Sequence, residues 1–123
     1  MRKCILELDY CELVNLHKAL LEAKFHTAPD NPSVSGSPII ANLYIQIRDW
    51  LIESEKGEEW NAWFHLSNQP DRRNQAVFLM GSCKQWGKAD PDKKRKIAHN
   101  YLAPFLFGEE ELMDVIEEVD RFF

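Results

Sequence analysis

The stretch that most constrains this chain is Ser37 to Gly57, SPIIANLYIQIRDWLIESEKG, where a start signal, an apolar face and a stop signal coincide. Serine is a strong N-cap, because its hydroxyl accepts from an otherwise orphaned amide. Pro38 at the first helical position lacks only an N–H that has no intrahelical partner. Gly57 supplies the stop. Between them Ile39, Ile40, Leu43, Tyr44, Ile47, Trp50 and Leu51 recur at i, i+3, i+4 spacing. The pattern predicts a helix of roughly 19 residues, about 28 Å long, with one broad apolar face. A face that wide demands several neighbours, so the segment is expected to be the central strut of a helical core, with Trp50 inside it.

The remaining segments carry the same period. Asp9 and Glu12 make a D-x-x-E capping box ahead of Leu13, Leu16, His17, Leu20, Leu21 and Phe25. That helix is expected to end near His26 or Thr27 and to turn Glu12, Lys18, Glu22 and Lys24 outward. Residues 3–8 read as a short strand or as the lead-in to it. Residues 27–37, TAPDNPSVSGS, hold two prolines, one glycine and three serines in eleven positions, a loop either functional or merely mobile. Glu58 and Glu59 open a third helix, where acids suit the positive end of the helix dipole, with Trp60, Trp63 and Phe64 on one side.

Pro70 begins a fourth helix that should run to Gly87, with Ala76, Val77, Met80 and Cys83 facing inward and Trp86 a further candidate. Gly81 in its middle costs about 1 kcal/mol relative to alanine unless a neighbour crosses closely. Asp90 and Pro91 open a fifth helix, which Pro104 stops, and Phe105 to Phe107 form an apolar hinge before a last helix from Glu109. The fold expected is all-α, a compact bundle or orthogonal array of five to six helices in one domain, 1–123, with 3–8 as the one candidate strand. A chain of 123 residues can bury such a core without disulfide or metal staples.

Three cysteines, Cys4, Cys11 and Cys83, with no CxxC pair, are no disulfide framework and point to a reducing interior. The opening MRKCILELD is broken by Glu7 and Asp9 and makes no signal peptide, and the longest uncharged run, 31–47, contains Pro32 and Pro38 and makes no membrane span. A cytoplasmic protein of bacterial or phage origin, with no membrane association, is the expectation.

Net charge is −5, which argues against general binding to nucleic acid or anionic membrane. Its distribution is uneven. Residues 71–99 carry eight Lys/Arg against three Asp/Glu, whereas residues 100–123 carry one against seven. The cations are Arg72, Arg73, Lys84, Lys88, Lys93, Lys94, Arg95 and Lys96. Such clusters suit phosphates or an acidic partner. Acidic helices could equally neutralise them within the fold, and four consecutive basic residues point around all sides of a helical turn.

No HExxH, CxxC pair or DxDxDG loop is present. Glu22 and His26 stand at i, i+4 but lack a third ligand, and His17 on an apolar stripe reads as a hydrogen-bonded core residue. The sequence GSC at 81–83 is no nucleophile elbow, and Cys83 on an apolar face is expected to be inert. Phosphate-cradling glycine loops are absent, which argues against nucleotide binding. No cofactor, metal or catalytic residue is expected.

The reading that fits is a non-enzymatic protein-binding module, an adaptor or an inhibitor or immunity-type protein that masks a partner's surface. Its acidic face, Glu109, Glu110, Glu111, Asp114, Glu117 and Glu118, would meet a basic or nucleic-acid-binding protein, with Trp60 and Trp63 as aromatic anchors. The alternative is a nucleic-acid-associated helical subunit using the basic segment 72–96. The apolar ends, Phe105–Phe107 and Phe122–Phe123, are compatible with a homodimer.

Overall fold

Asp9 opens the first helix as its capping box predicts. Its carboxylate accepts from the Glu12 amide at 2.8 Å and the Glu12 carboxylate accepts from the Asp9 amide at 3.0 Å. The structure is a computed structural model that describes residues 2–123. It is all-α, with helices α1 Tyr10–Lys24, α2 Pro38–Ile52, α3 Gly57–Phe64, α4 Pro70–Gly81, α5 Pro91–Leu102 and α6 Glu109–Phe122. Single 3-10 turns lie at Leu66–Asn68 and Trp86–Lys88. Helix α2 packs against α1 and α3, α4 to α6 pack on one another, and α2 also meets α5, joining the two groups. One apolar cluster draws on all six helices through Leu13, Tyr44, Phe64, Met80, Leu102 and Val115.

The caps read from the sequence hold at α2 and α5. Ser37 Oγ accepts from the Ile40 amide at 3.2 Å, Asp90 accepts from the Lys93 amide at 2.8 Å, and prolines stand in the first turn of both helices.

Several expectations are corrected. Residues 3–8 form no strand, and Ile5 and Leu6 are exposed. Six residues with no partner strand have nothing to bond their backbone. Helix α2 stops at Ile52, not Gly57, because the Ser54 hydroxyl and amide both donate to the Leu51 carbonyl, at 2.6 and 3.1 Å, and turn the chain. Gly57 instead begins α3, where a Cβ would sit 1.9 Å from the Ile52 carbonyl oxygen. Helix α4 ends at Gly81, so Cys83 lies in the following turn and is only half-buried. Gly81 is not in the middle of α4 but closes it, and what approaches it most closely is the Phe123 side-chain ring, 2.4 Å from the place of a Cβ, not the backbone of a crossing helix.

The Phe105–Phe107 segment is no hinge. Leu106 donates to the Phe64 carbonyl at 2.8 Å and accepts from the Leu66 amide at 2.9 Å, while Phe105 is buried. These bonds tie the α5–α6 connection to the end of α3.

Trp50 is the largest departure. Of the seven apolar positions of α2, Tyr44, Ile47 and Leu51 are buried, but Ile39, Leu43 and Trp50 are 70%, 49% and 52% exposed. At about 100° per residue the second set is rotated by roughly a quarter-turn from the first. Seven apolar positions cover more arc than the neighbouring helices fill.

Candidate functional site

The acidic and basic segments meet inside the fold. Arg95 grips Glu109 with two guanidinium contacts, one of them 2.7 Å between Nη2 and Oε2. Arg73 Nη1 lies 2.5 Å from Glu118, and Lys94 Nζ lies 2.8 Å from Asp120. Asp120 also accepts from the Trp86 indole at 2.9 Å. Hydrogen bonds from Arg95 hold the Glu109 carboxyl below the usual carboxylate range, and those from Lys94 and Trp86 do the same for Asp120. Arg72 lies 3.5 Å from Glu22.

Of the expected acidic face, Glu109 and Glu118 are therefore occupied, and Glu111 accepts from the Gly108 amide at 3.2 Å. Glu110, Asp114 and Glu117 are exposed and form no ion pair among the described residues. Of the eight cations, Arg72, Arg73, Lys94 and Arg95 are paired, and Lys84, Lys88, Lys93 and Lys96 are not. The turns of α5 divide the basic run: Lys94 and Arg95 point to α6, whereas Lys93 and Lys96 line a cleft on another side.

Trp60 and Trp63 are half-buried. They pack edge-on around the His17 ring at centroid distances of 5.2 and 4.9 Å, and the Trp60 indole donates to the Tyr10 hydroxyl at 3.0 Å. His17 is the hydrogen-bonded core residue its position predicts. Its Nδ1 lies 2.7 Å from the Tyr44 hydroxyl, and burial lowers its pKa to about 4. The exposed tryptophan is Trp50. It forms a surface stripe on α2 with Ile39, Leu43 and Gln46, flanked by Asp49 and Glu53, all exposed.

A half-open cleft of about 830 Å³ lies between the 27–37 loop and the wall made by the end of α4, residues 82–85 and α5. Lys84, Lys93 and Lys96 line it, with Leu79 and Ile97 among its apolar surfaces. No aspartate or glutamate is among its lining residues. Cys83 lies in its wall, and burial pushes the Tyr101 hydroxyl up to about 12.

The loop owes its position to Lys24, which is 1% exposed although the helical pattern turns it outward. Its Nζ donates to the carbonyls of Ser35, Asn100 and Tyr101 at 3.1, 2.6 and 2.9 Å. Three acceptors match the three protons of an ammonium. Burial still draws its pKa down to about 7, far below that of a free lysine. Beside it the Tyr101 ring lies over Gly36, where a Cβ would stand 2.6 Å from the ring. The sequence carries no sign of this lysine's place, because its three partners are backbone oxygens remote in the chain.

Among the described residues no three ligating side chains converge, and no helix is long and apolar enough to cross a membrane. No family model matches the chain, and no curated protein or solved structure matches it either.

Proposed function

We propose that this chain is a non-enzymatic protein-binding module that acts by covering a partner's surface, with the outer face of α2 as its contact. The observation that carries this reading is the stripe Ile39, Leu43 and Trp50, three large apolar side chains half or more exposed along one helix. Positions 39 to 50 span about 16 Å at 1.5 Å rise per residue, enough for a partner helix or groove to engage all three. An exposed tryptophan between apolar neighbours has the composition of a binding hot spot. Glu53 beside the stripe favours a partner with a basic rim around an apolar pocket, whereas Asp49 is already paired with Arg48 at 2.9 Å.

This moves the contact away from the residues that the sequence favours. Trp60 and Trp63 serve the His17 cluster, and half of the basic segment is engaged with carboxylates of the same chain. The remaining acids Glu110, Asp114 and Glu117 could add long-range attraction to a basic partner.

The test is affinity capture from host lysate with wild type, Leu43→Asp/Trp50→Ala and Glu110→Gln/Asp114→Asn/Glu117→Gln, each with and without nuclease. A stoichiometric protein lost only with the α2 variant supports the reading. Partners that survive the α2 changes, or vanish on nuclease treatment, sink it.

A further inference from the structure

We propose that the lysine-lined cleft is a binding site for a nucleoside polyphosphate, with Lys84, Lys93 and Lys96 holding the phosphates and the apolar wall holding the base. The cleft meets α2 only at Pro38 and uses none of Ile39, Leu43 and Trp50, so the inference stands without the protein-binding reading.

Charge is the first argument. The chain carries a net charge of −5, yet this cleft has three lysines and no carboxylate among its lining residues. The fold does not lack carboxylates: Glu22, Glu118, Asp120 and Glu109 pair with Arg72, Arg73, Lys94 and Arg95 of the same segment. The three ammonium groups left in the cleft have no carboxylate partner, and a polyanion would take that place. Lysine suits phosphate as a mobile point charge and needs no fixed fork geometry. The missing glycine-rich loop therefore does not count against this site, because side chains take the role that backbone amides play in such loops.

The lining supplies the second argument. A bare inorganic anion gains nothing from Leu79, Ile97, Pro32 and Pro38, whereas the face of a planar ring does. Gln85 and Asn100 also line the cleft, and each side-chain amide offers both donors and an acceptor, as the edge of a base requires. The Ser35 hydroxyl, in the wall, is the one buried side-chain oxygen without a partner among the described residues. At about 830 Å³ the cleft has the volume of a small-molecule site.

Preorganisation is the third. Lys24 ties the Ser35 carbonyl of the loop wall to the Asn100 and Tyr101 carbonyls of the α5 wall. Both sides are fixed at their roots before a ligand enters, which lowers the ordering cost of binding.

The experiment is isothermal titration of the full chain with ATP, tripolyphosphate and adenosine at near-physiological salt. ATP should bind with micromolar Kd, at least about tenfold tighter than either fragment. Lys84→Gln/Lys93→Gln/Lys96→Gln should weaken ATP by about thirtyfold or more, through loss of charge-assisted contacts. Lys88→Gln, an unpaired lysine outside the cleft, should change it less than about twofold if only local contacts matter. All four lysines are exposed, so the variants keep the fold, and circular dichroism verifies this. Tripolyphosphate binding as tightly as ATP, an equal loss in Lys88→Gln, or no saturable ATP binding at millimolar concentration each overturns the proposal. A single-stranded oligonucleotide that binds while ATP does not also overturns it, moving the role to a nucleic-acid surface.

Discussion

Lys24 Nζ lies 2.6 Å from the carbonyl oxygen of Asn100, joining residues 76 positions apart in the chain. The same ammonium reaches Ser35 and Tyr101, so one buried side chain fastens the 27–37 loop and α5 to the end of α1. Lys24→Met preserves the apolar stem and removes every donor, leaving three carbonyls without this partner. The unfolding free energy should fall by about 3 kcal/mol, the scale for stranded buried polar groups. Urea denaturation measures the loss, and faster proteolysis within residues 27–37 should accompany it. Unchanged stability would mean that the three bonds are replaceable by water.

His17 should make the protein acid-sensitive. Burial, aided by the charges of Lys18 and Arg72, holds its folded pKa at about 4 against 6.5 when free. The unfolded chain thus takes up a proton near pH 6.5 and the folded chain only near pH 4. Between those values the unfolded state binds more protons, and stability falls as pH falls. Above pH 6.5 the His17 contribution is complete. Its full loss is on the order of 3 kcal/mol. Urea midpoints from pH 7.5 to 4 should show this slope in wild type and lack the His17 part in His17→Gln. Parallel profiles for the two proteins would remove His17 as its source.

The four tryptophans should differ sharply in solvent access. Trp50 is 52% exposed and Trp86 is 5% exposed. Trp50→Phe should therefore remove most of the emission that acrylamide quenches readily, while stability changes by no more than about 0.5 kcal/mol, as for an open surface site. A loss of several kcal/mol would instead put Trp50 in the core.

Gly57 and Gly81 should respond differently to alanine. At Gly57 the new Cβ meets the Ile52 backbone carbonyl at 1.9 Å, and backbone cannot step aside without opening the α2–α3 turn. A cost above about 2 kcal/mol is expected, with loss of cooperativity at the turn. At Gly81 the obstacle is the Phe123 ring, an exposed side chain that can swing away. At the last helical position alanine returns only part of the interior propensity difference of about 1 kcal/mol, so Gly81→Ala should be near neutral. Thermal melts of the two variants check the contrast.

Sequence alone determined where most helices begin, and its helical period matches the buried face of α6 up to Val119, though not the exposed Phe122 and Phe123 that continue it. Those signals are local: a serine or aspartate cap, a proline in the first turn, and Leu112, Val115, Ile116 and Val119 at helical spacing, all of which the structure buries. It determined less well where α2 and α4 end, because Ser54 and the turn after Gly81 act before the glycines that look like stops. Tertiary structure decided the functional surface. An apolar period says which residues could be buried, but the helices packed on α2 decide that Tyr44 is and Trp50 is not. A run of cations says only that charge is concentrated. Which carboxylates lie opposite decides that Arg95 is spent on Glu109 while Lys93 and Lys96 line an open cleft. Lys24 shows the same limit most plainly, since no pattern in α1 can reveal carbonyls that arrive from residues 35, 100 and 101 only when the chain has folded.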